Sequence, residues 1–161
     1  MTGAYVSQRW MNGQDPQADF AFLTVKPQQR DGKQRTVQSV VGGDRLVTEL
    51  APPQWTVVAG YPAGLGGPII CVNRTASLRG YAAFRCAGFV DGTSGGPWLA
   101  NYSSASGRGE VYGVTGGRHQ GGCVNWVTYT STFDADTMAV YQRAATGAPP
   151  DVVPAAGPSS C

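Results

Sequence analysis

Short runs of apolar residues recur along the chain, several of them alternating with polar residues, and turn-forming residues separate them. The runs lie at residues 19–25, 36–41, 45–50, 54–62, 69–72, 97–100, 111–116 and 123–130. Alternation with a period of two predicts strands, and the residues at 42–44 (Gly-Gly-Asp) predict a hairpin between the second and third runs. Evenly spaced strands without helical periodicity between them favour an antiparallel β-sandwich or β-barrel.

One helix is predicted, near the C-terminus. Phe133 and Asp134 form the pattern of a hydrophobic residue followed by an N-cap, so the helix should run to about Ala145 and end at Gly147. Residues 148–161 are rich in Pro, Gly and Ala, which is the composition of a linker or tail. The sequence therefore predicts one domain over residues 1–147 and a tail over 148–161.

Composition and charge exclude several classes of protein. The chain has 161 residues, of which 42% are hydrophobic and 14% charged, and its 23 glycines fit a compact β protein with many tight turns. A formal net charge of +2, without a cluster of Lys or Arg, gives no basis for binding nucleic acid. No apolar stretch approaches the ~18 to 20 residues that span a bilayer, so no membrane association is predicted.

The four cysteines, Cys71, Cys86, Cys123 and Cys161, predict disulfides. None lies in a CxxC pair and the chain has one histidine, so a zinc site is not predicted, nor is any other metal or cofactor. Three pairings are possible in principle, and the bridge between Cys71 and Cys86 is favoured because these residues flank a predicted hairpin. Cys123 and Cys161 would form the remaining pair. Disulfides indicate an oxidising compartment, although the first ten residues lack the features of a signal peptide.

The segment Gly-Thr-Ser-Gly-Gly-Pro at 92–97 has the properties of a nucleophile loop. Gly92 allows its N–H to turn inward beside that of Ser94, so that the two could form an oxyanion hole. The glycines after the serine leave room for a substrate carbonyl, and Pro97 begins a predicted strand that anchors the loop. Taken alone, the same residues could form a glycine-rich turn with an exposed serine.

This loop resembles the nucleophile loop of chymotrypsin-like serine proteases. Residues 19–23, Asp-Phe-Ala-Phe-Leu, resemble the family segment that carries the triad aspartate, and Asp19 precedes Ser94 as the family requires. Residues 112–117 resemble the strand that pairs with substrate backbone. The similarity covers residues 9–145 and is closest to secreted trypsin-like peptidases of actinobacteria.

The resemblance implies an all-β, chymotrypsin-like double β-barrel, with the second barrel complete, the first partial, and a C-terminal helix. It further implies a secreted serine endopeptidase that acts on polypeptides. Ser94 would be the nucleophile, Asp19 would orient a histidine, and the N–H groups of Gly92 and Ser94 would form the oxyanion hole.

The resemblance also implies the substrate-binding residues. Thr115, Gly116 and Gly117 would hold substrate backbone. Gly88, six positions before Ser94, would lie in the specificity pocket where a trypsin has aspartate, which argues against a preference for Lys or Arg.

The sequence departs from the family at the catalytic histidine. Residues 1–18 contain no histidine, and the single one, His119, lies in a loop that in the family borders the specificity pocket. We therefore expect a protease piece that lacks an N-terminal segment with the histidine, and that is inactive alone. The alternatives are a pseudoprotease that serves as a binding or scaffold module, one half of a split enzyme, and an unrelated β-sandwich binding domain.

Overall fold

The computed structural model describes residues 1–131 and 133–155. The first part of the chain forms β1 (Gly3–Val6), α1 (Gln8–Gly13), a 3₁₀ turn (Pro16–Ala18), β2 (Ala21–Thr24), β3 (Gln28–Arg30), β4 (Lys33–Arg35), α2 (Val37–Val41) and β5 (Arg45–Leu46). The middle part forms β6 (Trp55–Gly60), β7 (Ile69–Arg74), β8 (Ala76–Leu78) and β9 (Tyr81–Phe84). The last part forms β10 (Pro97–Ser103), β11 (Arg108–Val114), a 3₁₀ segment (Arg118–Gly121), β12 (Thr128–Thr130) and α3 (Ala135–Ala145).

The strands of the described residues form four sheets. A five-stranded sheet has the order β5-β11-β10-β6-β7, a three-stranded sheet has the order β12-β9-β8, and β1 with β2 and β3 with β4 form two-stranded sheets. In the part of the chain that the structure describes, all strand pairings are antiparallel except that of β5 with β11. The protein is therefore mostly β, as the sequence predicted, but no sheet of the described residues closes into a barrel.

Three hydrophobic clusters occur among the described residues, and the two larger ones join separate elements of the fold. The first lies between the five-stranded and three-stranded sheets, where the fully buried Trp98 packs against Phe84 and Tyr112 with ring centroids 5.6 and 6.3 Å apart. The second joins α3 to β1 and β2 through Tyr5, Phe20 and other apolar side chains. Burial of these side chains is the main stabilising contribution, since each large side chain removed from water contributes about 1.5–3 kcal/mol.

The predicted C-terminal helix is confirmed as α3. Asp134 is its N-cap and accepts a hydrogen bond from Thr137 N, while the Thr137 hydroxyl accepts one from Asp134 N, so both partners of a capping box are present. The helix ends at Ala145, close to the predicted boundary. At 11 residues it is too short to cross a bilayer, and no other helix in the described ranges is long and apolar enough to do so.

The predicted strand over residues 36–41 is wrong, because this segment forms α2. The Thr36 side chain accepts a hydrogen bond from Ser39 N, which caps the helix, and Gly42 ends it with φ of 75°. Strand propensity of valine reflects packing on the surface of a sheet, and the valines Val37, Val40 and Val41 of α2 are exposed instead of packed in this way. The predicted hairpin at 42–44 is also wrong, because these residues lead into β5, which runs parallel to β11.

Two predicted strands are shorter than expected. The run at 45–50 contributes only Arg45–Leu46 to a strand, and the run at 123–130 contributes only Thr128–Thr130. Residues 123–127 instead form a loop closed by a single bridge between Val124 and Val127. The described part of the predicted tail packs against β1, where Asp151 N donates to Ala4 O at 2.9 Å.

The predicted disulfide between Cys71 and Cys86 is confirmed, with the two Cα atoms 6.6 Å apart. Both cysteines pack against the first hydrophobic cluster. The expected pairing of Cys123 with Cys161 involves a residue that lies outside the described residues.

Candidate functional site

The serine loop, residues 91–96, lies directly before β10 and connects it to the segment that follows β9. Thr93 anchors it: this buried residue donates from its hydroxyl to Val90 O at 2.7 Å and accepts at its own carbonyl from Gly96 N at 3.0 Å. Ser94 is exposed at the tip of the loop. A rigid base under an exposed hydroxyl is the arrangement that a positioned nucleophile needs.

Two glycines make this loop sterically possible. Gly92 has φ of 91°, and a Cβ on it would lie 2.6 Å from Tyr61 O and 2.8 Å from Ala63 N. A Cβ on Gly96 would lie 2.2 Å from Ala59 O. The loop therefore fits against the backbone of residues 59–63 only because both positions lack a side chain.

The N–H groups of Gly92 and Ser94 are available to a ligand. Within the described ranges neither donates a backbone hydrogen bond to the protein, whereas the N–H groups of Thr93, Gly95 and Gly96 all do. Both residues are exposed, so solvent or a ligand can reach these donors. Two unpaired N–H groups separated by one residue, beside an exposed serine, are suited to binding an oxyanion.

The segment 115–117, which follows β11, contacts both the serine loop and Asp19. Thr115 exchanges backbone hydrogen bonds with the loop, from Gly95 N at 2.8 Å and to Gly96 O at 2.9 Å. Two residues further on, Gly117 N donates to Asp19 Oδ2 at 2.7 Å. Because two residues span at most about 7 Å of chain, the Asp19 carboxylate is fixed at short range from the loop that carries Ser94.

Asp19 is a partly buried carboxylate immediately after the 3₁₀ turn at Pro16–Ala18. Burial raises the pKa of its carboxyl above 3.8, and the hydrogen bond from Gly117 N acts in the opposite direction. Gly116 leaves the space that the carboxylate occupies, since a Cβ there would lie 2.9 Å from Asp19 Oδ2. A carboxylate kept in a site that disfavours its charge is typical of functional groups.

A cavity of about 450 Å³ opens beside Ser94. Ser94 and Thr115 line it together with residues of two other segments, 89–91 and 119–125, and with Thr128. Of the residues predicted from sequence to bind substrate, Thr115 is therefore at the cavity. Gly116 and Gly117 lie further along the same segment, beside Asp19.

Gly88 is not among the residues that line the cavity within the described ranges. Its N–H donates to Asn125 O at 2.8 Å, so it tethers the 121–125 loop instead. The inner wall is formed by Phe89, Thr93, Thr115 and Thr128. Sequence reasoning missed Thr128, because residues 123–130 were predicted as one continuous strand and nothing in the pattern indicates a loop over a cavity.

His119, the single histidine, lines the same cavity as Ser94. It lies in the 3₁₀ segment with φ of 48°, and the following Gln120 also has a positive φ. Asp19 is not among the described lining residues, and His119 lies two positions after Gly117, whose N–H binds Asp19. No group of three or more potential metal ligands occurs in the described part of the chain.

No protein-family model, curated protein or solved structure matches this chain. The resemblance to chymotrypsin-like proteases therefore stays a prediction, carried by the residues quoted above.

Proposed function

We propose that this chain carries the nucleophile, the aspartate and the oxyanion hole of a secreted, trypsin-like serine endopeptidase. The observation that carries the proposal is the double attachment of segment 115–117, which binds the serine loop at one end and Asp19 at the other. In this proposal, the five-stranded and three-stranded sheets correspond to the second barrel, and the sheet of β1 and β2 to part of the first. The disulfide between Cys71 and Cys86 is compatible with an extracellular protein.

The proposed chemistry is acyl transfer. Ser94 Oγ attacks the carbonyl carbon of a peptide bond, an imidazole takes the hydroxyl proton, and the N–H groups of Gly92 and Ser94 bind the oxyanion. The imidazole returns the proton to the departing amine, and water then cleaves the acyl-serine by the same steps. Asp19 accepts a hydrogen bond from the other ring nitrogen and keeps the ring in the required tautomer.

The histidine is proposed to come from outside residues 1–161. The single histidine of the sequence, His119, follows Ser94 in the chain, whereas the family's catalytic histidine precedes the aspartate. An oxyanion hole with an unassisted serine retains only ~10³–10⁴-fold acceleration over water. The chain alone is therefore expected to be a very poor protease.

Hydrolysis of a peptide nitrophenyl ester with added imidazole tests this proposal. Imidazole should raise the rate above the background of imidazole in buffer, and Ser94→Ala should abolish the increase. Ser104→Ala is the matched control, because Ser104 is an exposed loop serine away from the cavity, and it should leave the increase intact. An imidazole-dependent rate that is equal in the wild-type chain and in Ser94→Ala would contradict the proposal.

A second candidate function is a pseudoprotease that binds polypeptides without cleaving them. The sequence favours it, since residues 1–18, where the family would place the catalytic histidine, contain none. Peptide binding at the cavity, together with a serine that stays unreactive when imidazole is added, would support this alternative.

A further inference from the structure

We propose that the surface formed by β3, β4 and α2 binds an acidic segment of a protein partner and seats one apolar side chain of that segment. These elements enclose a cavity of about 290 Å³, which we call the basic groove, and residues 28–30, 35–37, 40 and 41 line it. Within the described ranges the groove shares no lining residue with the cavity beside Ser94, so binding there does not depend on the reaction at the serine.

The hairpin of β3 and β4 places three cationic side chains on one face. Its register pairs Arg30 with Lys33 and Gln28 with Arg35. Side chains that are paired across two strands, or that lie two positions apart along one strand, share a face of the sheet. Arg30, Lys33 and Arg35 therefore project together, and the two arginines line the groove. The sequence has no run of consecutive basic residues here, so the pairing of the strands creates the cluster.

The described part of the chain offers these three cations no ion-pair partner. None of its ion pairs involves Arg30, Lys33 or Arg35, and all three residues are exposed. Residues 26–41 contain four Lys or Arg and one acidic residue, Asp31, so their net charge of +3 exceeds the +2 of the whole chain. Asp31 lies in the turn of the hairpin and does not line the groove. The charge of the surface is therefore complementary to that of an acidic partner.

The helix α2 supplies an apolar wall to the same groove. Val37, Val40 and Val41 have the spacing of one helix face, all three line the groove, and they are 51, 41 and 65% exposed. The Arg108 guanidinium holds the end of this helix, because it donates to Val41 O at 3.2 Å and to Gly43 O at 3.4 Å. The groove therefore combines a fixed apolar surface, which gains free energy when covered, with cations beside it.

An acidic polypeptide segment fits this surface better than a nucleic acid or a membrane does. Residues 26–50 contain no aromatic residue, whereas single-stranded nucleic acids stack on aromatic side chains and segments that lie on membranes commonly insert Trp or Phe. A phosphate backbone would use the cations and leave the valines in water. The cavity is near the lower end of the ~300–1,000 Å³ range of ligand pockets, so it suits a single side chain with carboxylates beside it.

Fluorescence anisotropy of labelled peptides, titrated with the full chain, tests the inference. The probe is Gly-Glu-Asp-Leu-Glu-Asp-Gly, and two control peptides replace its Leu with Ser or its acidic residues with Gln and Asn. The Leu peptide should bind roughly fivefold or more tightly than the Ser peptide, because one apolar side chain leaves water. The uncharged peptide should not bind measurably. Salt at about 1 M, which screens charges beyond ~3 Å, should weaken the binding of the Leu peptide.

An arginine pair and a matched control test the contribution of charge. Arg30→Gln together with Arg35→Gln should weaken the binding of both the Leu and the Ser peptide roughly fivefold or more, as expected for the loss of two exposed ion pairs. The matched control is Arg74→Gln together with Arg85→Gln, which removes the same charge from exposed residues outside the groove. It should leave both affinities within about twofold of the wild-type values, because distant charges are screened.

A valine pair tests the apolar wall. Val37→Thr together with Val40→Thr should weaken only the Leu peptide, so that the Leu and Ser peptides bind alike, since threonine has nearly the size of valine but presents a hydroxyl. Both valines are exposed, so this variant should keep the urea midpoint of the wild-type chain.

Four results would overturn the inference. They are equal binding of the Leu and Ser peptides to the wild-type chain, equal losses in the arginine pair and its matched control, a Leu preference that survives in the valine pair, and no binding by any peptide. Vesicles that contain phosphatidylserine and a single-stranded oligonucleotide are titrated in the same way. Tighter binding of either one than of the Leu peptide, lost in the arginine pair, would assign the surface to another class of partner and also overturn the inference.

Discussion

Replacing Gly92 with alanine should disturb the serine loop far more than the same replacement at Gly95. The two positions form a matched pair, because both have positive φ, 91° at Gly92 and 76° at Gly95. A Cβ on Gly95 would meet no atom within 4 Å, whereas a Cβ on Gly92 would lie 2.6 Å from Tyr61 O and 2.8 Å from Ala63 N. Gly95→Ala therefore measures only the free-energy cost of holding an alanine at a positive φ.

The expected magnitudes follow from these contacts. An alanine in the left-handed region costs about 1–2 kcal/mol, which is the full expected effect of Gly95→Ala. At Gly92 the overlap with backbone atoms adds about 1–3 kcal/mol, as for other overpacked positions, because a backbone oxygen cannot rotate away. Gly92→Ala should therefore lower the free energy of unfolding by roughly 2–5 kcal/mol in total.

Urea unfolding followed by tryptophan fluorescence measures the difference, since Trp98 is fully buried in the first hydrophobic cluster. The imidazole-dependent reactivity of Ser94 provides a second measurement, and it should fall more in Gly92→Ala than in Gly95→Ala. Two variants of equal stability, within about 0.5 kcal/mol, would show that the close approach of Gly92 to the 61–63 backbone is not a constraint on the loop.

Three further results are expected. Burial raises the pKa of Asp19 in the folded protein above 3.8, the value expected in the unfolded chain. As the pH rises between these two pKa values, the unfolded chain releases the proton while the folded protein keeps it, so the free energy of unfolding falls. Asp19→Asn should therefore be more stable than the wild-type chain at pH 7, with a difference that shrinks below pH 3.8; a variant less stable at pH 7 would refute this. Replacing Cys71 and Cys86 together with alanine should cost about 3 kcal/mol in urea unfolding, as expected for a closed loop of this length, and an unchanged midpoint would contradict it. Tyr112→Phe should cost about 1 kcal/mol by thermal unfolding, because it removes the buried 2.6 Å hydrogen bond to the Thr56 hydroxyl, and no loss would mean that this bond contributes nothing.

The local features of the fold could be predicted from sequence where one residue has a strong conformational role. Asp134 marks the start of α3 because a carboxylate caps the first turn, and the spacing of Cys71 and Cys86 around a hairpin indicated their bridge. The 36–41 segment was not predicted correctly, since its valines have strand propensity, whereas in the fold they stay exposed on a short helix capped by Thr36.

The cavity lies beyond what the sequence pattern predicts. Its inner wall brings Phe89 and Thr128 together from segments almost forty residues apart, and the loop over it turns at Gly121 and Gly122 with φ of 109° and 128°. Glycines indicate that a turn is possible without showing what it encloses. The motif around Ser94 was visible in sequence, but its link to Asp19 depends on a hydrogen bond from Gly117 across 98 positions.

The most direct test of the account is covalent labelling by a fluorophosphonate probe, with the modified residue identified by mass spectrometry. The wild-type chain should be labelled at Ser94 when imidazole is present, and only weakly without it. Ser94→Ala should remain unlabelled, while Ser104→Ala should be labelled as well as the wild type. Labelling that is absent from Ser94 under both conditions, or that falls equally on Ser94 and Ser104, would contradict the claim that this loop presents a catalytic nucleophile.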